Sequence, residues 1–294
     1  MPQHGLDALM RRISIILALA FLGMNYHGTS QDVVHELAGT LGFLTPVFED
    51  DFETDSGWMK FEEIVGGSPC YSSNIGSVTR TMDVAYYGSY SLLVWVNQAR
   101  STKSNHVIAY KQYSNRGQFG IWRYQIHAYI PLGTVNSGQT GPEFSMQNTR
   151  ETISDQSKTA TAGIQYVANI TPEEQGQWNV WREVAPGIAN WHPFITRTLQ
   201  ANTWYTLTVE ADYSNNSYRT FSLQGGGLDM SVDLSAYRIA EENKSFAEAF
   251  VITVEAENRW NNCGSDGIFD YQIYYDLAKL ESNVKSTFLP VVSK

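Results

Sequence analysis

Carboxylates are the residues of this sequence most able to do chemistry, and they occur in three settings. The run FEDDFETDSGW from Phe48 to Trp58 holds Glu49, Asp50, Asp51, Glu53 and Asp55, with oxygens enough for a hard cation such as calcium. In VITVEAENRW, Glu255 and Glu257 are two positions apart, so on an extended strand both point to one face, as do Glu210 and Asp212 in WYTLTVEAD. Two carboxyl groups on one face are the minimum equipment for acid–base cleavage of a glycosidic bond. Paired acids on a strand face are more commonly a solvated surface, and the expectation here is solvation.

Histidine-dependent chemistry has few starting points. Beyond the first thirty residues the histidines are His35, His106, His127 and His192, and no HExxH, GxSxG or phosphate-cradling glycine loop accompanies them. GGG at 225–227 reads as a turn. Aromatic side chains are better supplied, with 8 Trp and 17 Tyr. Sugars are held by flat aromatic faces together with a few amides and carboxylates. Candidates for such a surface are Trp122 and Tyr124, which alternate along WRYQIHAYI with Arg123, Gln125, His127 and Tyr129. Trp178 and Trp181 of QWNVW join them, as do Trp191 and Trp260 beside Asn190, His192, Asn261 and Asn262. Trp95 and Trp204, on apolar strands, are expected in the core.

These residues need a frame, and the sequence describes a β one. Hydrophobic residues make up 43% and charged residues 17% of 294 positions, enough to bury a large core. From Phe48 onward apolar residues alternate at period two between Gly, Asn, Ser and Pro breaks. The clearest case runs from Trp204 to Gly227, where Tyr205, Leu207, Val209 and Ala211 share a face, Asn215 and Asn216 turn the chain, and Arg219, Phe221 and Leu223 return. Similar runs at 91–98, 105–113, 122–130, 162–170, 177–184, 249–257 and 270–281 predict an all-β, antiparallel two-sheet β-sandwich of jelly-roll type, a single domain over 48–282. A short helix is predicted near Tyr237 to Ala249.

The flanks read differently. Arg11 and Arg12 precede an apolar run from Ile13 to Met24, too short to span about 30 Å of hydrocarbon, and small residues follow at Gly28 and Ser30. Residues 1–30 read as a signal peptide, 31–47 as a leader, and 283–294 as a tail, which predicts a secreted, periplasmic or cell-surface protein with no other membrane segment. The net charge of −10 becomes more acidic once Asp7, Arg11 and Arg12 are removed, which disfavours nucleic acid and anionic lipid as partners. In an oxidising compartment, Cys70 and Cys263 are expected to form one disulfide.

DDFETDSGW at the start, GSYSLLVWV about thirty residues on, NTWYTLTVEAD and YYDLAKLE together resemble the secreted concanavalin A-like and carbohydrate-binding-module jelly rolls. That resemblance implies a structural calcium where the first and last strands meet, held by Asp51 or Glu53 with Asp276 and by carbonyls around Gly88 and Ser89. Gln125-Ile126-His127 is identical to a short motif of alginate-lyase-like jelly rolls, but the lyases' Arg-x-Glu-Leu and Tyr-x-Lys-x-Gly patterns are missing. The Glu-x-Asp-x-x-Glu segment of laminarinase-type hydrolases is missing too. The expectation is therefore a non-catalytic, lectin-like domain with a polysaccharide or other glycan as partner. A polysaccharide lyase or glycoside hydrolase, using Gln125, His127, Glu255 or Glu257, is the alternative, and an adhesive surface domain the next. The sugar and the oligomeric state stay open.

Overall fold

The computed structural model describes residues 44–284, apart from 66–75, 97–103, 115, 132–138, 152–156, 170–172, 244–247 and 259–270. Two antiparallel sheets of eight strands each face one another. The first, sheet A, contains β1 (Thr45–Asp50), β3 (Gly76–Thr81), β4 (Ser91–Val96), β6 (Ile121–Tyr129), β11 (Trp204–Asp212), β12 (Ser217–Gly225), β13 (Leu228–Asp233) and β16 (Tyr271–Ser282). Its order is β13-β12-β11-β6-β16-β4-β3, with β1 also on β16. Sheet B contains β2 (Met59–Val65), β5 (Ser104–Ser114), β7 (Gln139–Glu151), β8 (Ser157–Asn169), β9 (Gln177–Ala185), β10 (Ile188–Thr196), β14 (Glu241–Asn243) and β15 (Ala249–Asn258). Its order is β10-β9-β8-β7-β15-β5-β2, with β14 also on β8.

Alternation explains the layering. Tyr124, Ile126, Leu207, Val209, Val94, Ile273 and Leu280 from sheet A meet Val107, Phe144, Met146, Ile164, Trp178, Val180, Ile252 and Val254 from sheet B, all buried. Each residue between them points away from the core. The Trp204–Gly227 hairpin forms as expected, with β11 and β12 in register. A bulge at Glu210/Ala211 puts Tyr218 inside and leaves Arg219 outside, which strict alternation did not foresee.

Four expectations are corrected here. The chain at 237–243 contains the short strand β14 rather than the start of a helix, because Glu241 to Asn243 pair with Lys158 to Ala160 on β8. The first strand begins at Thr45, ahead of Phe48, since it runs antiparallel to the end of β16. Trp95 and Trp204 are only partly buried, since the neighbours Val94, Val96 and Tyr205 take the core positions. Trp122, Tyr124 and Trp178 are excluded from ligand contact, being 2%, 0% and 0% exposed inside the sandwich. Cys70, Cys263, Trp260 and the segment read as a signal peptide lie outside the described residues.

Candidate active site

The outward row of sheet B gathers chemistry that is dispersed in the sequence. Across five neighbouring strands, Ile108 on β5 faces Glu255 on β15, Glu255 faces Glu143 on β7, Glu143 faces Gln165 on β8, and Gln165 faces Asn179 on β9. One step along, His106 of β5 faces Glu257 of β15, which faces Thr140 of β7. Residues directly opposite on antiparallel strands have Cβ atoms about 4.5–5.5 Å apart. Register alone therefore brings three glutamates, a histidine and two amides into one constellation.

Hydrogen bonds fix its members. His106 bridges two carboxylates, Nδ1 meeting Glu255 Oε1 and Nε2 lying 3.1 Å from Glu257 Oε1. Thr140 Oγ1 donates to Glu257 Oε2. Gln165 Nε2 donates to Glu143 Oε2 at 2.7 Å and reaches Glu257 Oε2 at 3.3 Å, while its Oε1 accepts Asn179 Nδ2 at 3.4 Å. From behind, Tyr275 of sheet A donates through the core to the Glu255 carbonyl at 2.6 Å, and Tyr271 donates to the Gly141 carbonyl. A bulge in β7 between Thr140 and Glu143 sets the direction of Glu143. Gly141 sits there at φ 118°, where an added Cβ would lie 2.6 Å from Ile273 Cδ1, so glycine is required.

The electrostatics divide the roles. Burial by itself would lower the His106 pKa, but the hydrogen bonds and charges of Glu255 and Glu257 win and push it up to about 11, so the ring is an imidazolium at neutral pH. Burial lifts Glu143 well above the carboxylate range, the Glu255 and Glu257 charges add to this, and His106 and the Gln165 hydrogen bond only partly oppose it. Burial also raises Glu255, against the hydrogen bond and charge of His106. Of the two, Glu143 is raised further, since it has an amide partner where Glu255 has a cation.

Beside this cluster on the same face, Trp181 and Trp191 pair across β9 and β10, their rings 5.1 Å apart at 64°. Glycine at 163 leaves room for them, since a Cβ there would meet Trp191 at 3.3 Å and Trp181 at 3.5 Å. Of the aromatic residues expected to bind sugar, these two are brought to the constellation.

The QIH segment is not part of it. Gln125 and His127 face outward from sheet A, on the opposite side of the molecule. His127 is 5% exposed, covered by the Tyr86 ring stacked at 4.0 Å, and its Nδ1 lies 3.1 Å from Thr206 Oγ1. Glu210, the other paired acid of the sequence, is neutralised by Arg123 at 2.8 Å and Arg219 at 3.1 Å, and Asp212 caps its turn through the Ser214 amide. Glu255 and Glu257 correct the solvation expectation, being 6% and 2% exposed.

The opening acids bind backbone. Asp50 accepts the Phe52 amide and the Trp58 indole, each at 2.9 Å, and Asp51 accepts the Glu53 amide at 3.1 Å. Glu53 Oε1 accepts the Ser89 and Tyr90 amides at 2.7 and 2.8 Å, and Asp276 Oδ2 accepts those of Tyr86 and Tyr87 at 2.8 and 3.0 Å. Burial raises Asp276, the loop amides pull it back, and the Glu53 charge adds to the rise. Among the described residues no set of three or more His, Cys, Asp or Glu is arranged to hold a metal.

No family model and no curated protein matches the chain. Solved structures of similar fold include an endo-β-1,4-glucuronan lyase from Trichoderma reesei, at 15% identity and TM-score 0.49 over 81% of this chain and 96% of that one. A carbohydrate esterase from the Shiga toxin-encoding bacteriophage phi24B has 14% identity and TM-score 0.43 over 82% and 100%. A GH131 β-glucanase catalytic domain from Podospora anserina has 12% identity and TM-score 0.40 over 74% and 86%. The two-sheet β-sandwich rests on the strand order itself. The expectation of a lectin-like domain without chemistry is corrected by the buried carboxylate–histidine constellation where solvated acids had been read.

The sequence reading missed His106, Glu143, Gln165 and Asn179. A signal existed for one part: Thr253, Glu255 and Glu257 lie on the outward row of AFVITVEAEN, whose inward row holds Phe250, Ile252, Val254 and Ala256. That polar row on a central strand marks a face in use.

Proposed function

We propose that this protein hydrolyses glycosidic bonds of a polysaccharide on the outer face of sheet B, with Glu143 as general acid and Glu255 as the carboxylate facing it. The observation that carries the reading is the direct opposition of Glu143 and Glu255 on adjacent strands, with environments that keep a proton on Glu143 and an imidazolium on Glu255. Neighbouring positions of this kind suit carboxyls about 5–5.5 Å apart, the separation used in retaining hydrolysis. Glu143 gives its proton to the leaving oxygen as Glu255 attacks the anomeric carbon. Water, deprotonated by Glu143, then releases the sugar from Glu255, leaving both residues as they began. Glu257 and Thr140 do not react in this scheme; they position His106, which orients Glu255.

Secretion is in keeping with the apolar run 13–24 and with a polymeric substrate. A calcium ion between Glu53 and Asp276 would brace the junction of the β3–β4 loop with β16, remote from the reacting groups.

The test is reducing-end release from a panel of glucans, xylans and mannans by the wild type and by Glu143→Gln. Release by the wild type and its loss in the variant are expected. Release undiminished in Glu143→Gln refutes the assignment, and a rise in absorbance at 235 nm on a polyuronate, the signature of elimination, refutes hydrolysis.

A further inference from the structure

The reacting pair does not stand at the end of its row. On the far side of Glu255 the row continues through Ile108 to Phe61 of the edge strand β2, whose ring is 52% exposed. On the far side of Glu143 it continues through Gln165 and Asn179, with the Trp181–Trp191 pair on the adjoining row at the other edge. The seven strands from β2 to β10 make a face about 29 Å wide at about 4.8 Å per strand. Phe61 is two strands from Glu255, and Trp191 is three strands from Glu143. Aromatic surface thus flanks the carboxyl pair on both sides, in its own row at Phe61 and in the adjoining row at the tryptophans.

Between the pair and the tryptophans, Asn179 is 6% exposed and its Oδ1 has no hydrogen-bond partner among the described residues. An unmatched buried acceptor on a face of this kind is a costly arrangement unless a donor arrives. A sugar hydroxyl is such a donor. The charge of the site selects further: Glu143, Glu255 and Glu257 surround one imidazolium, and neither Glu143 nor Glu255 pairs with lysine or arginine among the described residues. A uronate here would meet the charge of Glu255 and Glu257, with no guanidinium paired to Glu143 or Glu255 among the described residues to receive it.

Resting on the hydrolytic reading, we infer that the substrate is an uncharged polysaccharide lying across the strands of sheet B, stacked on Phe61 at one end and on Trp181 and Trp191 at the other. The enzyme then cuts within the chain rather than at its end. Sugar units on both sides of the bond have aromatic partners, so an internal bond gains binding that a terminal one cannot.

Two measurements test this. In the first, specific viscosity of a neutral glucan is followed against reducing ends released; a steep early fall in viscosity is expected, and a fall merely proportional to the ends released overturns internal cleavage while leaving hydrolysis intact. In the second, calorimetry on Glu143→Gln with neutral oligosaccharides of increasing length compares the additional changes Phe61→Ala and Trp191→Ala. Each is expected to weaken binding of the longest oligomer about tenfold, with Phe61→Tyr restoring it and circular dichroism unchanged. Length-dependent binding that ignores both changes overturns the placement. If the placement holds but the wild type cuts nothing, the hydrolytic reading fails and this one survives. Tighter binding of a polyuronate than of every neutral oligomer overturns the substrate class.

Discussion

Glu143 and Glu255 face each other across β7 and β15, with the Gln165 amide on one and the His106 imidazolium on the other. Chemically identical side chains are thereby given different electrostatic environments. The first prediction follows from that asymmetry. Glu143→Gln and Glu255→Gln are each expected to lower kcat by about 10²–10⁴-fold without unfolding, since each amide fits the space of the acid. Proton NMR of the first product is expected to show retention of anomeric configuration. Inversion would mean that water, rather than Glu255, attacks.

His106 sets a pH limit on stability. Its pKa is raised from 6.5 to about 11, so the stabilisation it gives is fully present below about pH 6.5 and is lost as pH climbs through about 11. Glu143, also raised, acts with the same sign, because the folded state resists its ionisation. The melting temperature is therefore expected to decline from pH 7 to pH 10. In His106→Gln, Glu255 and Glu257 lose their shared cation; the loss at pH 7 is on the order of 3 kcal/mol, and the decline above it becomes shallower. Melting curves of both proteins at four or five pH values decide this. A variant with an unchanged slope would remove His106 from the ion pair.

His127 sets the acid limit, from the opposite sheet. Burial lowers its pKa from 6.5 to about 4, so the folded state holds it neutral while the unfolded chain takes up a proton. Stability is lost as pH falls from about 6.5 towards 4, by on the order of 3 kcal/mol. His127→Gln is expected to flatten that acid limb and to leave polysaccharide cleavage at pH 7 within about twofold of wild type. A collapse of activity in a well-folded His127→Gln would return chemistry to the QIH segment.

How much of this was legible in the sequence depends on how far apart the cooperating residues lie. The β11–β12 hairpin could be read because Tyr205, Leu207, Val209 and Ala211 declare their face locally and Asn215 and Asn216 supply the turn. The pairing of Glu53 with Asp276 could be read only through resemblance, since one belongs to the turn after β1 and the other to β16. His106, Glu143, Gln165 and Glu255 come from four strands, and nothing within any one strand specifies register with the next. Gln125 and His127 show the reverse: three consecutive residues match a motif whose other members are missing, and the β3–β4 loop covers His127 with Tyr86.

The Glu53–Asp276 junction gives the last prediction. Two carboxylates, one from the turn following the first strand and one from the last strand, converge on amides of the 86–90 loop, and the charge of one raises the other. Backbone N–H groups satisfy some of their oxygens, but an N–H dipole does not cancel a net charge, so the pair repels unless a cation joins it. A ligand bound only by the folded state at a hundred times its Kd adds about 2.7 kcal/mol. EDTA is therefore expected to lower the melting temperature by several degrees, and excess calcium to restore it. In Asp276→Asn, which keeps the acceptors for Tyr86 and Tyr87 while removing the charge, the melting temperature should no longer respond to EDTA. Wild-type melting that is indifferent to both EDTA and calcium would show that the amides suffice and that the junction is metal-free.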